Sequence, residues 1–358
     1  MQQAVAPRVS VIVRSMNRAS LGRALAAIAQ QDYPDLEVVL VAAIGAAHPV
    51  PDAMCGPFPV RFVASDVPLP RADAANAGLD AATGDWITFL DDDDAIAPDH
   101  VSGLVAALSD AGGARVVYSR ARGMLRDGRT KLFGQPFSLM QLYDRNFIHL
   151  STALVDRTLL AEGCRFDSTL EILEDWDFML QLAHRTRFQF VPRQTFEWHA
   201  DLGDSGAGGG VNQDDVRFAS HRDRIYAKWA GARDALSDRV RDTLQAAAGA
   251  AQRGDLAAAA AACRDVLRDS QNDPWALNTL AMIERRSGQH AQARRTQELA
   301  VAVRDDDADL VYNLALVCRD LGDLPAARAH GARAAALAPD NTRYRVFAAT
   351  IAAPTANA

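Results

Sequence analysis

Over the first 230 or so residues, short and nearly unbroken apolar runs alternate with segments of helical spacing. Val9–Val13 (VSVIV), Glu37–Val41 (EVVLV), Val60–Val63 and Trp86–Leu90 (WITFL) read as strands. Between them, residues 19–30 place Leu21, Leu25 and Ile28 on one helical face, and residues 71–82 read as a second helix. Strands that do not alternate apolar with polar residues are buried on both faces, and intervening helices supply the crossovers that parallel strands need. The pattern predicts an α/β, doubly wound domain with a mainly parallel sheet over residues 1–232.

From 233 to 358 the strand pattern stops, and a helical period rich in Ala, Leu and Arg replaces it. Gly254, Gly288 and Gly322 recur every 34 residues, and Ala259, Ala293 and Ala327 each stand five residues further on. Asp273 and Asp307 keep the same 34-residue spacing. A helix–turn–helix period of this length resembles tetratricopeptide repeats. Gly at the turn lets the chain leave a helix in the left-handed region, and a small Ala lets paired helices approach. A plain Ala-rich bundle would not need the spacing. The first repeat is degenerate, and Asn341–Ile351 is expected to be a capping helix. Leu202–Val211 (LGDSGAGGGV) reads either as a linker or as a lid that closes over a substrate.

Composition adds exclusions. The 358 residues are 49% hydrophobic and 23% charged, with a formal net charge of -7, so no basic surface for nucleic acid is indicated. Cys55, Cys164, Cys263 and Cys318 lie far apart and form no CxxC pair, which points to reduced, mostly buried thiols rather than a zinc site or a disulfide framework. The opening MQQAVAPRVSVIV lacks the features of a signal peptide, and no run of about 18 apolar residues appears, so the expected location is the cytoplasm.

Candidate chemistry begins at WITFLDDDD. Asp91 to Asp94 follow a strand that reads as buried, and ligands of a parallel α/β sheet bind beyond the carboxyl ends of strands. Four adjacent carboxylates repel one another and raise each other's pKa. A divalent cation resolves that conflict, and oxygen-only ligands favour Mn²⁺ or Mg²⁺ shared with substrate phosphates.

Three segments in register resemble family 2 glycosyltransferases of the GT-A fold: VSVIVRSMNR at Val9–Arg18, PRADAANAGLDAATGDWITFLDDDD at Pro70–Asp94, and LEDWDF at Leu173–Phe178. The resemblance implies a Rossmann-like GT-A domain followed by the all-α repeat domain. It implies an Asp-x-Asp motif at Asp91 and Asp93, with Asp93 a direct metal ligand and Asp91 and Asp92 contacting ribose or metal-bound water. Arg71 and Asn76 match the nucleotide-side helix, although Arg71 reads equally well as a surface arginine. Asp175, paired with Glu174, is implied as the general base, although two acids at a helix N-terminus also suit the macrodipole. His199 lies where some relatives place a third metal ligand or phosphate contact, and His149 is a candidate for the acceptor side. Two departures stand out. Ala42 and Ala43 occupy the place of the carboxylate that reads the nucleotide base, so another group reads it, or selectivity is relaxed, or donor binding is impaired. Arg14 stands where Pro is common and is expected to add charge at the donor pocket, so that Arg14→Ala weakens donor binding.

The leading expectation is an inverting, metal-assisted transfer of a sugar from a nucleotide diphosphate donor to an acceptor hydroxyl, with Asp175 as base. The acceptor is a glycan, a lipid-linked saccharide or a protein. The competing reading is a catalytically inactive GT-A scaffold whose repeats grip a protein partner. A nucleotidylyltransferase would need a Gly-rich basic loop near the N-terminus, and ASLGRAL is a poor version of one. The repeats also suit homo-oligomer formation.

Overall fold

Strand β1 (Val9–Ser15) leads into helix α1 (Leu21–Ala29), strand β2 (Leu36–Ala42), the short pair β3 (Met54–Cys55) and β4 (Phe58–Val63), helix α2 (Arg71–Ala81) and strand β5 (Trp86–Phe89). Every residue of β1 and β2 is buried, as their unalternating sequences require. Val9, Val11 and Val13 share one apolar core with Ala24 and Ile28 of α1. On the other face α2 comes close to β1 at Gly78, where a Cβ would fall on the Cγ2 of Ile12 and crowd Val41. A larger residue there would lift α2, which carries Arg71 at its start, off the sheet. The computed structural model describes residues 6–124, 128–199 and 215–352.

After β5 come β6 (Ala95–Ile96), α3 (His100–Ala106), β7 (Val116–Met124), β8 (Thr130–Phe133), α4 (Leu139–Asp144), β9 (Ala153–Asp156), α5 (Thr158–Ala161), α6 (Glu174–Ala183) and β10 (Phe188–His199). The sheet order is β3-β4-β2-β1-β5-β9-β7-β10-β6, with β8 on β7. Strands β4, β2, β1 and β5 are parallel. Strand β9, however, enters between β5 and β7 and runs antiparallel to both. Strands β3, β6 and β8 are also antiparallel to their partners, whereas β7 and β10 are parallel. The sheet is therefore mixed rather than mainly parallel. The crossover pattern read from the N-terminal third is interrupted by one reversed strand in mid-sheet, beyond which β7 and β10 form a further parallel pair.

The chain divides into two units, Met1–Gln135 with Arg145–Trp229, and Pro136–Asp144 with Ala230–Ala358. The second unit thus takes in α4, where Asn272 donates to the Phe137 carbonyl at 2.9 Å. Helix α7 (Asp215–Gln252) has residues in both units. The second unit continues with α8 (Leu256–Asp269), α9 (Pro274–Arg286), α10 (His290–Val303), α11 (Ala308–Asp320), α12 (Leu324–Leu337) and α13 (Thr342–Ala352). The 34-residue period folds as helix pairs. Gly254, Gly288 and Gly322 take φ of +86°, +75° and +79°, the left-handed helix exits that Gly makes cheap. Ala259, Ala293 and Ala327 are fully buried between helices. Asp273 and Asp307 prove to be N-caps, each accepting two backbone N–H groups at the start of α9 and α11. The expected C-terminal cap is α13.

All four cysteines are free and buried. Among the described residues no helix is long and apolar enough to cross a membrane. The Gly-rich segment Leu202–Val211 lies outside the described residues.

Enlarging a buried inter-helix alanine should overpack the repeats. Ala293→Leu is expected to lower stability by about 1–3 kcal/mol, read as a lower urea midpoint for the helical transition. An unchanged midpoint would mean that the paired helices have room to spare.

Candidate active site

The carboxyl ends of β1 and β5 meet the start of α6 through one side chain. Arg14, the penultimate residue of β1, is 9% exposed. Its Nε and Nη2 donate to Asp91 Oδ1 and Oδ2 at 2.9 and 2.8 Å, and its Nη1 donates to Glu174 Oε1 at 3.1 Å. Arg71, at the start of α2, brings its Nε to 3.4 Å from the same Glu174 oxygen. Burial pulls the Arg14 pKa down, but the charges of Asp91 and Glu174 outweigh it and raise it above the usual arginine value. Burial alone would likewise raise the Asp91 pKa, and the Arg14 and Arg71 charges bring it below the usual range. Arg14 does add charge here, but that charge is committed to the buried Glu174 and the half-buried Asp91.

The four aspartates separate into different environments. Asp92 is fully buried, and its carboxylate accepts the N–H of Met16 at 2.7 Å, the N–H of Arg18 at 3.4 Å and a short bond from the Arg18 guanidinium. It clamps the loop after β1, in which Asn17 has φ +52°. The expectation that Asp92 touches ribose or a metal-bound water therefore meets a side chain turned into the protein. Asp93 is 16% exposed, with the Arg18 Nη1 at 3.7 Å. Burial and the negative charges of Asp91 and Asp92 raise its pKa against the pull of Arg18. Asp94 is buried, and burial together with Asp91 and Asp93 pushes its pKa well above the carboxylate range.

These are the conditions that a bound divalent cation relieves. Among the described residues no three His, Cys, Asp or Glu side chains gather as a metal site. The donor chemistry still fits an ion held mainly by substrate: Asp93 offers a hard oxygen under electrostatic strain, and Mn²⁺ or Mg²⁺ would complete its shell with diphosphate oxygens and water.

Helix α6 opens abruptly. Leu173, just before it, has φ +62°, a left-handed conformation that is costly for a branched side chain. The helix then begins with Glu174 and Asp175. Asp175 is partly exposed, with Oδ1 accepting the N–H of Trp176 at 2.8 Å and Oδ2 accepting Asn146 Nδ2 at 3.2 Å. Burial and then the neighbouring Glu174 charge raise its pKa to about 6, with Arg71 acting in the opposite direction. The third acid, Asp177, is fully buried and accepts from Gln181 at 2.7 Å, Lys228 at 2.9 Å and the Trp229 indole at 2.8 Å. It anchors α6 to α7 and is not available to a ligand. Trp176, Phe178, Met179, Leu180 and Leu182 are buried, so the helix that presents Asp175 is fixed along its length.

Asn76, expected on the nucleotide side, has both ends of its amide occupied by Phe166: Nδ2 donates to the carbonyl at 2.9 Å and Oδ1 accepts the N–H at 3.0 Å. Its position is that of a cross-tie between α2 and the chain before α6. Ala42 and Ala43 are buried, and Ala43 already donates to Ser15 O at 2.9 Å and accepts from Leu69 N at 2.8 Å. His149 lies against Phe196 as a tilted ring pair with centroids 4.5 Å apart, and burial lowers its pKa to about 4, against the pull of Asp91. It is a neutral ring at the edge of the charged cluster. His199 is the last residue of β10, opposite Met124 in the ladder, and its side chain lies outside the described residues. Sequence reasoning missed Arg18, Asn146 and Asp177. Arg18 and Asp177 lie inside the quoted motifs and were legible as charges next to charges. Asn146 sits in a loop (RNFIH) with no pattern to mark it.

Residues 10–173 match the family model of Glycosyl transferase family 2. Over 188 residues the chain is 24% identical to an uncharacterized glycosyltransferase of Haemophilus influenzae, covering 50% of this chain and 63% of that one. Over 212 residues it is 28% identical to the succinoglycan biosynthesis protein ExoO of Rhizobium meliloti, covering 54% of this chain and 61% of that one. The chain thus spans about three fifths of the length of these curated relatives. The crystal structure of S. aureus TarS 1-349 is similar at 15% identity and a TM-score of 0.46, over 96% of this chain and 90% of that one.

Removing Arg14 takes both guanidinium bonds from the half-buried Asp91 and leaves the buried Glu174 with Arg71 alone. Arg14→Ala is expected to cost about 3 kcal/mol in urea unfolding. Arg14→Lys should recover only part of it, because an ammonium cannot make the paired bonds to Asp91. A loss below about 1 kcal/mol would show that the network is incidental to the fold.

Proposed function

We propose that this chain is a nucleotide-sugar glycosyltransferase that works by a single inverting displacement. The observation that carries the reading is the Arg14 guanidinium bonded at once to Asp91 and Glu174. Through those bonds the acidic turn after β5 and the acidic start of α6 meet at the carboxyl end of β1. Two nearby acids, Asp93 two residues after Asp91 and Asp175 directly after Glu174, then face different tasks.

Asp93 is the residue that would hold Mn²⁺ or Mg²⁺. When bound, the cation supplies positive charge against which the diphosphate leaves. Asp175 acts on the acceptor. The acceptor hydroxyl gives its proton to the Asp175 carboxylate as its oxygen bonds to the anomeric carbon. The bond to the nucleoside diphosphate breaks, and its electron pair stays with the phosphate oxygen. A base with a pKa of about 6 is mostly ionised at neutral pH yet basic enough to take a proton as the bond forms. Arg71, about a third exposed beside Glu174, is placed to meet a donor phosphate. Among glycan, lipid-linked and protein acceptors, a glycan is the first choice, because the relative ExoO is named for succinoglycan biosynthesis.

Two outcomes test this. In calorimetry with Mn²⁺ and a panel of UDP-, GDP- and dTDP-sugars, one donor should bind in a metal-dependent way, and Asp93→Ala should abolish that binding. No binding of any donor by the folded protein would favour the inactive scaffold. Asp175→Asn should keep donor affinity and lose at least about 100-fold in turnover. Turnover by the wild type should fall as pH drops through about 6, because protonated Asp175 cannot accept the acceptor's proton. A flat profile between pH 5 and 8 would assign the base elsewhere.

A further inference from the structure

Among the described residues, the Asp175 carboxylate has one protein donor on each oxygen. The donor on Oδ1 is the N–H of the next residue, Trp176, at 2.8 Å, and so travels with the helix. The donor on Oδ2 comes from a distant loop: Asn146 Nδ2, at 3.2 Å. The Asn146 amide has only one sensible orientation. Its Oδ1 accepts the N–H of Ile148 at 3.0 Å, a local Asx turn that occupies the carbonyl end. The NH₂ end is thereby aimed at the carboxylate. A flipped amide would set two N–H donors against each other at Ile148 and two oxygens against each other at Asp175. Three residues further on, His149 is held by its own bond from the Ser151 N–H at 3.3 Å and by a tilted ring contact with Phe196, so the loop is held on the C-terminal side of Asn146.

We propose that Asn146 is the positioning residue of the base, holding the plane of the Asp175 carboxylate through Oδ2 while Asp175 takes the acceptor's proton. This rests on the reading of Asp175 as base. A carboxylate bonded only to its own helix can turn about its last torsion, which is broad. A second donor from a loop fixes that torsion and favours the ionised form. Asn146 is neutral, so it does this without neutralising the charge that the base needs. Each oxygen has a further lone pair with which to meet the acceptor hydroxyl. Glu174 sits beside the same carboxylate and raises its pKa, so a fixed donor on the other flank has an electrostatic role as well as a geometric one.

The test uses the full chain with Asn146→Ser, Asn146→Ala and Asp175→Asn. Serine can still accept the Ile148 N–H through a short side-chain turn, but it is too short to reach Asp175, so it separates loop structure from donation. With aspartate labelled at the carboxyl carbon, ¹³C NMR follows the titration of Asp175, whose resonance is identified by its loss in Asp175→Asn. The midpoint should rise by about one unit in both Asn146 variants, with the Asn146→Ser melting temperature close to wild type. With the same UDP-, GDP- and dTDP-sugar panel, release of nucleoside diphosphate should show lower kcat, unchanged donor KM and an acid limb shifted to higher pH. A wild-type midpoint in both variants would overturn the proposal, as would a shift seen only in Asn146→Ala together with a lowered melting temperature. If Asp175→Asn turns over donor at the wild-type rate, the assignment of the base fails. If Asp175→Asn is inactive while the Asn146 variants match wild type, only the positioning role fails.

Discussion

A guanidinium can be taken out of water only if its N–H groups find acceptors and its charge finds an opposite. For Arg14 both conditions are met by residues 77 and 160 positions away, Asp91 and Glu174. The rest of the candidate site depends on that pairing. It neutralises Asp91, so the acidic turn can stay folded without collapsing into mutual repulsion. It neutralises Glu174, so the buried start of α6 is tolerated next to Asp175. It also links the ends of β1 and β5 to α6, with Arg71 of α2 against the same Glu174. Breaking a buried pair of this kind is far more costly than never having built it, because the partners remain buried as bare charges.

Around this centre each neighbouring acid has a separate assignment. Asp92 pins the loop after β1 through two backbone N–H groups and Arg18, and Asp177 pins α6 to α7 through Lys228 and Trp229. Both are fully buried and fully occupied. The two acids that keep a raised pKa and some access to solvent are Asp93 and Asp175. Perturbed acids in a cleft mark functional sites better than acids engaged in structural bonds do. The division into structural and reactive carboxylates is what makes the proposed transfer chemically reasonable.

What the sequence revealed follows from range. The first four parallel strands, α1, α2 and the 34-residue repeats were readable because apolar spacing, Gly and Ala are local signals. Asp91–Asp94 and Glu174–Asp175 were readable because the acids are adjacent in the chain. Strand β9 was not placed, because four residues (ALVD) carry no information about the direction in which they join a sheet. Asn76 was read as a nucleotide contact because its place in the motif is visible, whereas its partner Phe166, 90 residues on, is not. Asn146 was invisible for the same reason: its partner is 29 residues away, and a lone Asn in a loop looks like any other turn residue. Arg14 stood out as a departure from the family pattern, but its role became clear only when both acceptors were in place.

The central claim is that Asp175 serves as a base in one displacement and forms no bond to sugar. The product's anomeric configuration tests this most directly. Proton NMR of the product formed from an α-linked nucleotide sugar should show a β-linkage from the first turnovers. An α-linked product would require two displacements or attack on the leaving-group face, and would contradict the account.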